Sequence, residues 1–404
     1  MLFVGVDWAE AHHDVCAMDD TGKVLARKRI ADSLAGLAEL QELLAEHAEE
    51  PDEVVVGIEK DRGLIVTALL ASGYAVYAVN PLASSRYRDR HHVSGAKSDP
   101  GDAKVLADMV RTDRHNLRQA AGDSALAEGV KILARAHQNA IWSRQRHVNA
   151  LRNALKDYFP GALEAFGTDL SSSDAVAVLS VATTPVLARA LTVEGIQALL
   201  RAGGRQRNLE RRATEIHAAL QRPQLSQPEV LASAYGQVAA SSMRLITAAN
   251  VEVNELEAAL TSDFEQHPDA KLILSLPGLG MILGARVLGE FGDDPNRYLD
   301  AKSRRNYGGT SPITKASGRS KVVLARFARN RRLADALDRW AFCSLTKSPG
   351  ARGYYDELRA RGKTHHQAVR QLANRWVGVL HVCLERHALY DEDAAWSQRQ
   401  TAAA

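Results

Sequence analysis

The chain has 404 residues, of which 46% are hydrophobic and 25% charged, so a disordered or collagen-like protein is excluded. The length suits two or three domains, and no apolar run approaches the roughly 18 residues that a membrane span needs. A signal peptide is not expected, because Asp7 and Glu10 stand where its basic and apolar parts would be. Three widely spaced cysteines, Cys16, Cys343 and Cys383, predict neither a disulfide framework nor a zinc cluster. We therefore expect a cytoplasmic protein.

Charge is distributed unevenly along the chain, although the net charge is only +3. Residues 1–60 hold 14 acidic and five basic residues, whereas residues 297–332 hold 11 basic residues and a single acid. The basic segment predicts a polyanionic partner. A metal site is one candidate explanation for the many acidic residues in the segment 1–60.

The first 118 residues predict a mixed α/β sheet. Leu2–Trp8 is a buried strand that contains a carboxylate near its end, and the turn at 19–22 predicts an antiparallel meander over the first three strands. Strands and helices then alternate, which predicts helices packed on the sheet. The order β-β-β-α-β-α-β-α is that of the ribonuclease-H-like fold. The predicted later elements are strands Asp14–Met18 and Val24–Ile30, helix Ser33–Glu49, strand Val54–Glu59, helix Leu64–Ala71 and strand Ala75–Val79.

Helical patterns dominate the rest of the chain. Arg135–Leu155 and Gln206–Leu220 are amphipathic, with breaks expected at Ser171–Ser173 and Gly203–Gly204. We interpret residues 119–268 as a helical or coiled-coil connector. Residues 269–390 are predicted to form a mostly helical domain that carries the basic segment, and residues 391–404 a tail.

Four carboxylates form a candidate metal site. Asp7 and Glu59 end two buried strands, and parallel neighbours would bring both to one sheet edge. Asp99 and Asp102 open a helix, where a spacing of three residues places them on one face. Together they suit Mg²⁺, or Mn²⁺, and a metal pair could act on a phosphodiester. Taken singly, each has a simpler interpretation as a helix cap or a solvated strand end.

The C-terminal region carries two further motifs. Leu-Pro-Gly-Leu-Gly at 276–280 resembles the turn of a helix–hairpin–helix element, in which the backbone at Gly278 and Gly280 approaches a phosphate. Ser317 precedes a glycine inside a strongly basic loop and is a candidate nucleophile, because cations offset charge on a phosphoryl group. Ser-Gly is also a common turn, and the basic residues could merely neutralise phosphates. They are Lys315, Arg319, Lys321, Arg326, Arg329, Arg331 and Arg332.

These motifs together resemble one family over nearly the whole chain. It comprises insertion-sequence transposases with a RuvC-like N-terminal domain and a serine-bearing C-terminal domain, related to the Piv DNA invertases. The family's DEDD tetrad maps onto Asp7, Glu59, Asp99 and Asp102. Its C-terminal pattern is matched by residues 276–280, Gly309, Pro312, Ser317-Gly318 and the basic stretch 326–333.

The resemblance implies an activity that composition does not reveal. It implies that the tetrad holds Mg²⁺ and that Ser317 attacks a DNA phosphate to form a covalent phosphoserine intermediate. It also implies homodimers or homotetramers in which the serine of one subunit completes the carboxylate site of another. Donor and target DNA would be chosen by a structured guide RNA, the bridge RNA, so that sequence choice is delegated to base pairing. Such a protein would act at the prokaryotic nucleoid.

Two other functions compete with this one. A RuvC-like, metal-dependent, structure-specific nuclease would use water as the nucleophile and Ser317 only to position phosphate. A catalytically silent DNA- or RNA-binding scaffold would not need the intact tetrad. The Ser317-Gly318 pair in its basic loop favours a recombinase, and Ser303, Ser311 and Ser320 are competing hydroxyls in the same region.

Overall fold

The computed structural model describes residues 1–91, 98–120, 122–318, 320–326 and 329–400. It divides into two compact units, Met1–Gly122 and Asp123–Ala404. Within the described residues, no helix has the length and apolar character to cross a membrane.

The first unit is built on a six-stranded sheet with the order β3-β2-β1-β4-β5-β6. Strands β1, β2 and β3 form the predicted antiparallel meander, whereas β4 and β5 run parallel to β1. The order of elements predicted from the sequence is thereby confirmed. The strands are β1 (Leu2–Trp8), β2 (His12–Met18), β3 (Val24–Ala31), β4 (Val54–Ile58), β5 (Ala75–Ala78) and β6 (Arg118–Gln119).

Helices cover both faces of this sheet. One face packs its branched apolar residues against α1 and α2, and the other packs against α4. Because both faces are covered, β1 and β4 are apolar at nearly every position, as expected for strands buried on two sides. The helices are α1 (Leu34–Ala45), α2 (Leu64–Ala71), α3 (Pro81–His91) and α4 (Asp99–Thr112), with 3-10 turns at Pro51–Glu53 and Arg114–Asn116.

The second unit is helical apart from one hairpin. Its two longest helices, α5 with 34 residues and α11 with 37, run antiparallel. Tyr158 at the end of α5 stacks on Tyr235 near the start of α11, and Arg144 bonds to Asn250 farther along. The first helices are α5 (Ala125–Tyr158), α6 (Pro160–Phe166), α7 (Ser173–Leu179), α8 (Pro185–Arg189), α9 (Val193–Ala202), α10 (Leu209–Gln221) and α11 (Glu229–Glu265).

The C-terminal elements surround the motifs found in the sequence. Helices α12 and α13 flank the glycine turn, and the hairpin β7–β8 precedes α15. They are α12 (Ala270–Ser275), α13 (Met281–Phe291), a 3-10 turn (Pro295–Arg297), α14 (Ala301–Tyr307), β7 (Ile313–Ser317), β8 (Ser320–Leu324), α15 (Arg331–Ser344), α16 (Pro349–Ala360), α17 (His365–Arg386) and α18 (Glu392–Gln400).

Two hydrophobic cores support the second unit. One lies toward the far end of α5 and α11, where the short helices α6 to α10 pack on them. The other joins the near ends of α5 and α11 to the C-terminal helices, so Val130 and Phe264 share a core with Trp340 and Trp376. This core therefore contains residues from both sides of the predicted boundary between residues 268 and 269.

Strand β6, which pairs with β5, was not predicted, and two elements nearer the C-terminus also differ from the sequence expectations. Residues 392–400, assigned to a tail, form α18, because Trp396 is buried against Trp376 in the C-terminal core. The loop expected around Ser317 is a β-hairpin in a region expected to be mostly helical. Its strands contain no buried residue, so they lack the alternation by which a sequence reveals a half-buried strand.

Candidate active site

The register of two parallel strands brings Asp7 and Glu59 to one sheet edge. Gly5 on β1 lies opposite Gly57 on β4, and each glycine precedes its carboxylate by two residues. Because alternate residues of a strand face the same side, both carboxylates point to the side on which the glycines lie. That side is covered by α4.

The two glycines let α4 approach the sheet closely. A Cβ atom on Gly5 would lie 1.9 Å from the carbonyl oxygen of Ala103, and one on Gly57 would lie 2.7 Å from that of Leu106. This close approach holds the first turn of α4, which carries Asp99 and Asp102, beside the edge where β1 and β4 end. Ser98 is the residue that precedes the helix, so the helix starts at Asp99 rather than at the following proline.

Like charges meet at this edge. The pKa of Asp7 is raised from 3.8 to about 6, first by burial and then by repulsion from neighbouring carboxylates. Coulomb repulsion falls with distance, so the carboxylates that lie close to Asp7 make its charged form less favourable. The contributing neighbours are Asp102, Asp99, Glu59 and Asp14.

Hydrogen bonds and ion pairs orient three of the carboxylates. The buried Ser84 hydroxyl of α3 donates to Oε1 of Glu59 at 2.5 Å. Arg88 of the same helix places Nη2 2.7 Å from Oδ1 of the buried Asp102. Nη2 of Arg29 lies 3.5 Å from Oδ2 of the exposed Asp99. These contacts tie the candidate ligands to the fold.

A fifth carboxylate, absent from the predicted tetrad, lies beside Asp7. Asp14 lies opposite Asp7 in the antiparallel pair β1–β2, is buried, and receives two hydrogen bonds from Arg29 at 3.2 and 2.7 Å. His12, Asp14 and Asp99 each offer a ligand atom, and these three atoms lie within 4.8 Å of one another. The available signal was the spacing of His12 and Asp14 by two residues, but the predicted strand began at Asp14, whereas β2 begins at His12.

The glycine turn at 276–280 joins α12 to α13. Gly278 has a φ of +87°, and a Cβ atom there would lie 2.6 Å from the backbone nitrogen of Ser344. Trp340 also donates its indole N–H to the carbonyl of Pro277 at 2.9 Å. Gly278 therefore serves packing against α15, whereas Gly280 is exposed at the start of α13, where helix N–H groups are open to an anion.

Ser317 is the last residue of β7 and is exposed. It pairs directly with Ser320 across a turn in which Gly318 has a φ of +54°. Paired residues lie on the same face of a hairpin, so Ser320 is the nearest competing hydroxyl. Lys315 also lies on that face, whereas Lys321 lies on the opposite face of the hairpin. Another competitor, Ser303, donates its hydroxyl to Asp300 at 2.7 Å.

The predicted basic residues divide into two groups. Arg332 bonds to Asn139 and lies over the ring of Trp142, while Arg329 packs its aliphatic chain on Gly309, so both make contacts within the fold. Lys315, Lys321 and Arg331 are exposed, Arg326 is half-buried, and Arg319 lies outside the described residues. The exposed group is the better candidate for contacts with nucleic acid.

Comparison with known proteins agrees with these features. A family model for DEDD transposases of the IS110 type, described as a transposase, matches residues 4–160, and the model "Transposase IS116/IS110/IS902 family" matches residues 270–356. A Streptomyces coelicolor protein named "Mini-circle putative transposase for IS117" is 43% identical over 100% of this chain and 98% of its own length. An uncharacterized 42 kDa protein of insertion element IS900 from Mycobacterium paratuberculosis is 29% identical over 96% of this chain and 97% of its own length.

The DEDD family match and the acidic edge of the sheet together indicate use of a divalent metal. A further relative, an uncharacterized 43.6 kDa protein of IS110 from Streptomyces coelicolor, is 28% identical over 96% of this chain and 95% of its own. These matches extend over both units of the structure. The chain belongs to the IS110/IS116 family of insertion-element DNA transposases.

Proposed function

We propose that this transposase is an RNA-guided DNA recombinase that uses a serine nucleophile and Mg²⁺. The observation that carries the proposal is the position of Ser317. It is exposed at the end of β7, beside Lys315, and lies inside the segment matched by the C-terminal transposase model. No hydrogen-bond partner of its hydroxyl is found among the described residues, which leaves the oxygen accessible for attack.

The carboxylate edge of the first unit is suited to a divalent cation. Asp7, Glu59, Asp99 and Asp102 would hold the ion, and Asp14 lies within reach of the same site. The raised pKa of Asp7 supports this fit, because repulsion among crowded carboxylates is relieved when a cation binds. Oxygen ligands favour Mg²⁺, with Mn²⁺ as a substitute. When bound, the ion would stabilise charge on the oxygens of a reacting phosphate.

Ser317 would hold a DNA strand covalently between the two steps of strand exchange. Its oxygen attacks the phosphorus, the bond to one DNA oxygen breaks, and the released strand ends in a hydroxyl that takes up the proton. A hydroxyl of the other DNA then attacks the phosphoserine and restores both the phosphodiester and the serine. One ester bond replaces another at each step, so strand exchange needs no external energy source and leaves no free ends.

The remaining parts of the proposal concern partners. Donor and target DNA would be selected by a structured RNA encoded beside the gene, acting with a homodimer or homotetramer of this chain at the prokaryotic nucleoid. The exposed residues Lys315, Lys321 and Arg331 supply positive charge for phosphate contacts. The family resemblance, rather than any contact in the fold, supports the guide RNA and the oligomer.

A reconstituted reaction tests this function. Purified protein, Mg²⁺ and donor and target DNA are combined with or without RNA transcribed from the flanks of the gene. We expect joined donor–target DNA only when the RNA is present, and none with Asp102→Asn. Glu42→Gln removes an exposed acid of α1 and should leave the products unchanged. Hydrolysed DNA without joined strands, whether or not RNA is present, would identify the protein as a RuvC-like nuclease instead.

A further inference from the structure

An arginine of α3 contacts one of the tetrad carboxylates. Nη2 of Arg88 lies 2.7 Å from Oδ1 of Asp102, and the two side chains are only 18% and 10% exposed. The pair is better shielded from water than the contact between Arg29 and Asp99, whose side chains are 53% and 56% exposed. An exposed ion pair contributes little, whereas a charge-assisted hydrogen bond away from solvent is strong. Arg88 therefore offsets much of the negative charge of Asp102.

The same helix holds a second member of the tetrad. Ser84, one turn before Arg88, donates its hydroxyl to Oε1 of Glu59 at 2.5 Å. Residues four apart lie on one face of a helix, so Ser84 and Arg88 present a single face of α3 to the carboxylate edge. Arg88 is thus a cation built into the candidate metal site.

The two contacts of α3 respond differently to a divalent cation. A serine hydroxyl is neutral, so it can stay hydrogen-bonded to a carboxylate that also binds a metal. A guanidinium is positively charged and repels a metal ion that binds the same carboxylate. A metal ion bound to Asp102 would therefore compete with Arg88 for this side chain, whereas the bond from Ser84 to Glu59 would persist.

Asp102 is also important for the charge balance of the site. The pKa of Asp7 is raised first by burial and, among the neighbouring charges, most strongly by Asp102. A divalent ion between the two aspartates carries twice the charge of Arg88 and would relieve this repulsion. The charge balance therefore favours the replacement of Arg88 by the metal ion at Asp102.

The displaced guanidinium would remain at the edge where the DNA reacts, because α3 fixes its backbone. Its planar fork of N–H donors matches two oxygens of a phosphate. The crowded carboxylates of this edge repel a phosphate as long as no metal ion offsets their charge. Once a metal ion is bound, the ion and the released arginine both favour a phosphate at this edge.

We propose that Arg88 is a counter-ion that changes its partner: it pairs with Asp102 until a divalent cation binds there, and it then contacts a phosphate of the bound DNA. Arg88 thereby couples metal binding to DNA binding. The inference rests on the metal site of the proposed function. It does not depend on the serine nucleophile or the guide RNA.

Metal affinity distinguishes a counter-ion from a structural anchor. Mn²⁺ binding to the full-length protein without DNA would be followed by EPR, in which free Mn²⁺ gives the sharp signal. Arg88→Gln should tighten Mn²⁺ binding by about 3- to 30-fold, because a repelling charge is removed. If Arg88 only anchored α4, the same substitution would misplace Asp102 and weaken binding. The direction of the change therefore decides between the two roles.

Two variants of α3 control this measurement. Arg86→Gln makes the same change of net charge at an exposed residue of the same helix, and it should leave the Mn²⁺ affinity within about twofold of the wild type. Arg88→Lys keeps the positive charge, so its Mn²⁺ affinity should also stay close to that of the wild type. Asp102→Asn tests the metal site itself and should weaken Mn²⁺ binding.

DNA binding tests the second partner of Arg88. Affinity for a labelled donor duplex would be measured by fluorescence anisotropy, with and without saturating Mn²⁺ at constant ionic strength. Mn²⁺ should raise the DNA affinity of the wild type and of Arg86→Gln by about tenfold. In Arg88→Gln the increase should be about threefold or less, because that variant has no guanidinium to release.

The outcomes separate this inference from the metal site. If Arg88→Gln bound Mn²⁺ no more tightly than the wild type while Asp102→Asn lost affinity, the counter-ion role would be overturned and the metal site would stand. If the wild type bound no Mn²⁺, or if Asp102→Asn bound it equally well, both would fail together. Equal DNA affinity of the wild type with and without Mn²⁺ would also overturn the inference, and this comparison needs no variant.

Discussion

Replacing Asp7 by asparagine should stabilise the metal-free protein while it abolishes strand exchange. The folded state raises the pKa of Asp7 from 3.8 to about 6, first through burial and then through repulsion from other carboxylates. Between these two pH values the folded chain keeps a proton that the unfolded chain has lost. Stability therefore falls as the pH rises from 3.8 to about 6, and the full penalty persists above that range. Asparagine carries no charge and avoids the penalty.

The size of the effect follows from the pKa change. A shift of about two units corresponds to about 3 kcal/mol at 1.36 kcal/mol per unit. Asp7 is only half-buried, so solvent screening reduces the expected gain to about 1 to 2 kcal/mol at pH 8. Below pH 4 Asp7 is largely protonated in both the folded and the unfolded chain. The variant and the wild type should then have about the same free energy of unfolding.

Hydrogen exchange can measure this gain in the full-length chain. Peptides that cover β1 and β4 report opening of the first unit separately from the second. In EDTA at pH 8, Asp7→Asn should slow exchange in β1 by about 5- to 30-fold, and the ratio should approach one at pH 4. Mg²⁺ at ten times its dissociation constant should protect the wild type by about 1.4 kcal/mol and the variant much less.

A matched control separates this effect from a general change in charge. Glu42→Gln removes an exposed carboxylate of α1 in the same unit and should not alter the exchange of β1. If Asp7→Asn exchanged as fast as the wild type at pH 8, or if Glu42→Gln had the same effect, crowding of carboxylates at the sheet edge would be the wrong explanation.

Three further predictions concern the contacts around the two motifs. Gly57→Ala places a Cβ atom 2.7 Å from the backbone of α4 and should destabilise the first unit by about 1 to 3 kcal/mol, measured by urea unfolding. The control Gly353→Ala has open space around the new Cβ atom and should stabilise its helix by about 0.5 to 1 kcal/mol. Ser84→Ala removes the hydrogen bond that orients the tetrad glutamate and should slow strand exchange by about 5- to 100-fold, while Ser85→Ala should not. Lys315→Ala should lower the slope of log affinity against log salt by about one, measured by DNA titration at several salt concentrations.

Each of these predictions has a clear contrary result. Normal stability of the Gly57 variant would show that α4 does not need its close approach. Equal strand-exchange rates in the two serine variants of α3 would remove any orienting role for that hydrogen bond. An unchanged salt slope would place the DNA-binding surface away from the hairpin.

Local signals in the sequence predict the elements that carry the four tetrad carboxylates, whose role as metal ligands stays a prediction. Buried apolar runs mark the strands that carry Asp7 and Glu59, and a proline with flanking acids marks the start of α4. Asp14 was not among the predicted ligands, because only the antiparallel register of β1 and β2 places it opposite Asp7. Strand register depends on the partner strand, which a single segment does not encode.

Contacts between segments distant in the sequence explain the other differences between the predicted and the observed structure. Both strands of the hairpin that carries Ser317 are exposed, so no burial pattern distinguishes them from a loop. The helix at 392–400 forms where Trp396 meets a core supplied by distant segments. Arg329 and Arg332 belong to the predicted basic surface, yet they contact Gly309 and Trp142 within the fold. Charge in the sequence indicates a surface but not which side chains remain free on it.

The serine mechanism is tested most directly by asking whether DNA becomes covalently attached to Ser317. Protein, Mg²⁺, flank-derived RNA and both DNAs would be mixed, denatured during the reaction and analysed for a covalent protein–DNA adduct, with the attachment site mapped by mass spectrometry. We predict an adduct with the wild type and with Ser320→Ala, and none with Ser317→Ala. Cleaved DNA without an adduct in any protein, or an adduct mapped to Ser320, would contradict the proposed serine mechanism.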